Sequence, residues 1–129
     1  MAGKKTTLKL IELRDPYTFW ETPGVQENFC KAIGLRLRGY QANHFEGVLP
    51  FDAADMISTH FLLCEEVAKN DFRAVLGYRT VSLSKIEYHK QTFAPLSVAQ
   101  LCNGPEHLKA LNQVIDSCKS AGKELFLID

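Results

Sequence analysis

The sequence lacks most of the marks that assign a chemistry at sight. Its four cysteines, Cys30, Cys64, Cys102 and Cys118, include no Cys-x-x-Cys pair. Buried free thiols in a reducing compartment are therefore expected in place of a disulfide or zinc framework. Four histidines, His44, His60, His89 and His107, are scattered without the His-x-x-x-His spacing of a helical zinc site. There is no Gly-x-Ser-x-Gly nucleophile turn, and neither Gly-x-Gly-x-x-Gly nor Gly-x-x-x-x-Gly-Lys is present to cradle phosphate. Charge of one sign is missing too: fifteen basic residues balance fifteen acidic ones. That balance removes the electrostatic case for a nucleic-acid partner or an anionic membrane surface. No apolar run approaches a membrane span, and the basic start Met1-Ala-Gly-Lys-Lys has no apolar segment behind it. A cytoplasmic protein with no membrane span is expected.

What the sequence has is a single domain's worth of patterned residues. At 129 residues the chain can bury a real core. Its most informative stretch is Thr59–Leu83, where the apolar runs Thr59–Glu66 and Phe72–Leu83 flank the polar turn Lys69-Asn70-Asp71. β-branched and aromatic residues around a short turn predict an antiparallel hairpin. Before it, Leu8–Leu13 reads as a strand stopped by Asp15-Pro16. Thr22-Pro23 then opens a helix that ends near Gly39, with Val25, Phe29, Ile33, Leu37 and Tyr40 at helical spacing.

The segment Gln41–Ser58 breaks pattern and reads as a long connection carrying at most one helical turn, a candidate wall of a substrate site. After the hairpin come an irregular link at Tyr88–Leu96 and a short helix at Ser97–Cys102. The clearest helix is Pro105–Ala121, with Asn103 and Glu106 at capping-box spacing, an apolar stripe of Leu108, Leu111, Ile115 and Cys118, and Gly122 as the stop. Glu124–Ile128 is nearly all apolar and predicts a strand buried on both faces. The fold class is thus α+β, with a mainly antiparallel central sheet flanked by helices.

Side-chain alternation on the first hairpin strand puts His60, Leu62, Cys64 and Glu66 on one face and Thr59, Phe61, Leu63 and Glu65 on the other. Glu65 or Glu66 is a candidate general base if a cleft desolvates it; otherwise it is an exposed carboxylate beside the turn. Glu65 is the one chosen as candidate catalytic residue. Arg79 needs partners inside an apolar strand. It either holds a substrate carboxylate or phosphate or pairs with an acidic neighbour. Arg79 and His60 are the candidate substrate-binding residues. Arg36 and Arg38, two apart on a helix, are expected on a solvated edge.

The order of strand, helix, long connection, hairpin, helix and strand, together with Thr59-His60-Phe61-Leu62-Leu63, Val75-Leu76-Gly77-Tyr78-Arg79 and Phe93-Ala94-Pro95-Leu96, resembles the amino-terminal part of the GNAT (GCN5-related N-acetyltransferase) superfamily. Within it the chain is most similar to N-acyl amino acid synthases and acyl-homoserine-lactone synthases. The resemblance, spread over Leu8–Asp129, implies acyl transfer from acyl-CoA or acyl-carrier protein to an amine, with no covalently bound cofactor. In that family a Gln/Arg-x-x-Gly-x-Gly/Ala turn holds the pyrophosphate. The 129 residues contain no such turn, so the resemblance implies a GNAT-like but incomplete fold, the amino-terminal part of a larger one. Two other functions compete: a non-catalytic small-molecule-binding domain, and an assembly protein that forms a homo-oligomer by strand pairing along Glu124–Ile128.

Overall fold

The computed structural model describes residues 5–45, 47–91 and 104–129. It shows an α+β fold whose antiparallel sheet has four strands in the order β1-β2-β3-β4, flanked by helices. The expected short helix at Ser97–Cys102 and the Phe93–Leu96 segment lie outside the described residues. Two compact units divide the chain, 1–79 and 80–129.

In the first unit, β1 (Leu8–Leu13) pairs antiparallel with β2 (Thr59–Ala68) in the register Leu8↔Glu65 through Leu13↔His60. β3 (Asp71–Ser82) follows β2 after Lys69-Asn70, where Asn70 takes φ +58° and its N–H reaches the Glu66 carboxylate at 3.0 Å. Asparagine tolerates that left-handed backbone better than most residues, which is why the turn falls there. Pro16 does more than end β1. It opens a one-turn helix, α1 (Pro16–Phe19), whose cap is the Asp15 carboxylate accepting from Thr18 N–H.

The long helix α2 (Val25–Ala42) starts after Gly24, not at Thr22, because Gly24 at φ +88° turns the chain into it. It also runs three residues past Gly39. Its sheet-facing line is Val25, Phe29, Ala32 and Arg36, so the predicted stripe is rotated and Leu37 is exposed. One buried cluster of this unit is Ala32, Leu62, Cys64 and Ala74, with Ile11, Leu35 and Phe72 packed against them; Leu13, Val25, Ala54 and Ile57 are buried as well. Small residues on α2 let the helix settle close to the sheet. Gly77 does the same from the strand side, since a Cβ there would stand 2.9 Å from Leu62 Cδ2 and 3.2 Å from the Phe61 carbonyl oxygen. Along β3 the inward side passes from even positions (Phe72, Ala74) to odd ones (Gly77, Arg79). An extra residue in the strand produces such a change of parity.

In the second unit, α3 (Leu83–His89) begins where the apolar run of β3 was expected to continue, capped by Ser82 Oγ accepting from Lys85 N–H. The helix α4 (Pro105–Ser120) has Gly104 as its N-cap, with no side-chain cap; Asn103 of the expected capping box lies outside the described residues. Its C-terminus follows expectation: Gly122 at φ +66° turns the chain, and Lys123 N–H bonds the Cys118 carbonyl at 2.9 Å. The last strand corrects the sequence reading. β4 is only Phe126–Ile128, pairs among the described residues with Thr80–Ser82 alone, and ends the strand order with Phe126 and Ile128 exposed. A continuous apolar run signals burial only where layers cover both faces of the sheet, and among the described residues the face carrying Phe126 and Ile128 is uncovered. The thiols also differ from expectation, since Cys64 is buried, Cys118 is half-buried and Cys30 is exposed.

Candidate functional site

The first unit gathers its charges on the α2 side of the sheet. The connection between α2 and β2 contains one turn of 3-10 helix, Ala53–Met56, closed by a reciprocal capping box. Asp55 N–H bonds Asp52 Oδ1 at 3.2 Å and Asp52 N–H bonds Asp55 Oδ2 at 2.8 Å. This small turn presents both carboxylates to two guanidinium groups. Arg36 of α2 forks onto Asp55, with Nη1 2.7 Å from Oδ2 and Nη2 2.9 Å from Oδ1, and also donates to the Pro50 carbonyl at 3.0 Å. Arg79 of β3 forks onto Asp52 at 2.6 and 3.1 Å and adds a 2.8 Å bond to Asp55 Oδ1. The network ties helix, connection and strand together.

His60 completes it. Its Nε2 lies 2.8 Å from the Asp55 carbonyl oxygen. A carbonyl only accepts, so Nε2 carries the proton and the neutral ring keeps Nδ1 bare. Phe29 meets this ring edge-on at 6.0 Å, and Trp20 meets Phe29 at 5.5 Å, forming an aromatic row beside the charges. Ser58 Oγ closes the turn by donating to the Ala54 carbonyl at 2.6 Å.

Electrostatics follow from this burial. Desolvation pushes the Asp55 carboxyl up. The Arg36 hydrogen bond, the Asp52 N–H and the fields of Arg36 and Arg79 outweigh that and hold it below its usual value. Burial pushes His60 down; the Asp55 carbonyl and carboxylate oppose the shift, and the two guanidinium groups reinforce it. Two positive and two negative side chains balance, with His60 neutral. Asp55 and Arg79 are sealed from solvent, whereas the Asp52 side chain remains 38% exposed.

The residues singled out in sequence are split between the two faces. His60 and Arg79 come together in the network. Glu65 lies on the opposite face, bonded to Arg73 at 2.8 Å. Of the two readings for Arg79, the acidic neighbour is the one seen, although both acids come from the connection and not from a strand. Arg36 is a correction: it is half-buried in the network instead of solvated, and Arg38 reaches the Ala74 carbonyl. Sequence reasoning missed Asp52, Asp55 and Arg36. The Asp-x-x-Asp spacing of a capping box just before an apolar strand was the available signal.

The opposite face of the sheet is apolar and open. A groove of about 430 Å³ runs over Leu10, Glu12, Phe61, Leu63, Leu76 and Tyr78, with Phe61 and Tyr78 stacked at 4.9 Å. Within the second unit a smaller recess of about 250 Å³ is lined by Leu83, Glu87, Cys118, Lys119 and Glu124, among others. Lys119 pairs with Glu87 at 2.6 Å, and Ser84 donates to Glu124.

Among the described residues no three His, Cys, Asp or Glu side chains converge as metal ligands, and no helix is long and apolar enough to cross a membrane. Comparison with family models, with curated proteins and with solved structures finds no match.

Proposed function

We propose that the chain is an N-acyltransferase-like domain that accepts an acyl group from acyl-CoA or acyl-carrier protein and delivers it to an amine. The glycine-rich turn for pyrophosphate is supplied, in this reading, by residues outside these 129 or by a second polypeptide. The observation that carries it is Asp52, a carboxylate fixed by the Arg79 fork yet open to solvent in the connection before the hairpin. An acid held in one orientation and still reached by solvent suits the handling of an amine. The amine nitrogen attacks the thioester carbonyl, the C–N bond forms as the C–S bond breaks, and Asp52 passes the amine proton to the departing thiolate. Arg79 and His60 position Asp52 and its turn and do not touch substrate. Glu65, on the far face, takes no part. The chain works in the cytoplasm, where its cysteines stay thiols.

The test is titration with octanoyl-CoA and octanoyl-acyl-carrier protein by calorimetry, followed by thiol release in the presence of amino acid amines. Binding, with release that falls at least tenfold in Asp52→Asn, is expected. Absence of binding to either donor overturns the reading.

One observation favours a second reading, non-catalytic capture of a small apolar ligand: the groove over Leu10, Leu63, Leu76 and Tyr78 is of ligand size. Displacement of a hydrophobic dye by free fatty acid, lost in Leu63→Glu and indifferent to Asp52→Asn, distinguishes it from acyl transfer.

A further inference from the structure

The free edge of β1 has a pattern that a second copy of the chain would match. Glu66 N–H bonds the Thr7 carbonyl at 2.9 Å, and Thr7 stands opposite Glu66 one step beyond the Leu8↔Glu65 pair. Antiparallel ladders alternate, so Thr7, Lys9, Ile11 and Leu13 point their backbone groups at β2, and Leu8, Leu10 and Glu12 point theirs away. Among the described residues β1 ends the strand order, which leaves these N–H and C=O groups on an open edge. The devices that normally blunt such an edge are weak here. β1 contains no proline, Glu12 is occupied by Arg14 at 3.0 Å, and the Lys9 ammonium sits over the Phe72 ring. By contrast β4, the edge strand of the second unit, is protected by being three residues long.

We propose that β1 pairs antiparallel with β1 of a second copy about a two-fold axis at Leu10. The open positions 8, 10 and 12 are symmetric about Leu10, which is also the more exposed of the strand's two open leucines at 81%. In this register Leu10 faces Leu10 of the second copy, and Leu8 faces Glu12. All three open positions then exchange bonds, both leucine side chains stay on the apolar face, and no like charges stand opposite one another. Neighbouring registers do worse. Moving the axis to Glu12 sets two carboxylates face to face, and moving it to Ile11 sets Leu8 opposite Arg14, beyond the end of the strand, so that one of the three open positions loses its partner. The pairing extends the apolar face of Leu63, Leu76 and Tyr78 across two chains and shields Leu8 and Leu10 from water. It is independent of the acyl-transfer reading.

Sedimentation equilibrium of the full chain tests it. A dimer of twice 14.5 kDa is expected at hundreds of micromolar, reverting to monomer in Leu10→Lys with unchanged circular dichroism. Hydrogen-bonded antiparallel partners lie about 5.5 Å apart between Cα atoms, within disulfide reach. Under mild oxidation Leu10→Cys therefore cross-links to itself, as identified by peptide mass spectrometry. Leu8→Cys does not, because its two copies are separated by four residue steps, about 13 Å. A monomer at all concentrations, a dimer that survives Leu10→Lys, or equal cross-linking from positions 8 and 10 overturns the proposal.

Discussion

The two faces of the β1-β2-β3 ribbon are built from neighbouring residues of the same strands, yet they solve opposite problems. On the α2 side, His60, Leu62 and Cys64 are buried and every charge has a partner: Asp55 takes bonds from Arg36, Arg79 and the Asp52 N–H. On the other side Leu8, Leu10, Leu76 and Tyr78 remain exposed, with the Glu65–Arg73 pair at one end. The buried ion pairs thus lie on the face that the helix covers. Paired ions survive burial because each guanidinium replaces lost water with several bonds, whereas an apolar face needs only a cover. The buried network orders the connection, and the apolar face stays available for binding.

Substitutions should separate the faces. The largest effect is expected for Asp55→Ala, which strands two guanidinium groups without their shared carboxylate and should cost roughly 3–5 kcal/mol in urea denaturation. Leu62→Ala opens a cavity beneath α2 and should cost about 2–4 kcal/mol by the same measurement. Gly77→Ala forces a methyl against Leu62 and the Phe61 carbonyl, and a loss of about 1–2 kcal/mol is expected.

The pH dependence is set by His60. Its folded value is depressed below the ordinary 6.5, so the unfolded chain takes up a proton first. Stability is fully present above pH 6.5 and declines below it, by at most about 1.4 kcal/mol per pH unit for this one group. Denaturation midpoints at pH 7.5 and 5.5 should differ in the native chain and differ less in His60→Gln. Asp55, also depressed, adds its loss only as pH falls below its unfolded value of 3.8. The smallest effect belongs to the open face. Leu76→Ser should change stability by about 0.5 kcal/mol or less, and a larger loss would mean that something already covers the groove.

Much of the fold was legible because hairpins and strong helices announce themselves locally. The apolar alternation of β2 and the Asn70 turn placed the hairpin, and Gly122 ended α4. α3 was hidden because its Leu83 and Ile86 prolong the apolar run of β3, and only the Ser82 cap marks the change. The site was legible in part. Arg79 demanded a partner from its place in an apolar strand, but the partner lies 24 residues earlier in a connection with no regular pattern. Arg36 was misplaced because the apolar spacing at Ile33, Leu37 and Tyr40 drew the helix's inward face through the wrong line. A guanidinium on the true line is tolerated only because Asp55 waits opposite it, and that juxtaposition exists only after folding.

The central claim is that the carboxylate pair, gripped by Arg36 and Arg79, locks the turn at Ala53–Met56 onto the helix and hairpin. Residue-resolved hydrogen exchange of Arg79→Met tests it most directly. The amides of residues 53–57 should exchange more than about tenfold faster while those of Leu62 and Cys64 keep their protection relative to the turn. Unchanged exchange at 53–57, or equal loosening of turn and strand, would contradict the account.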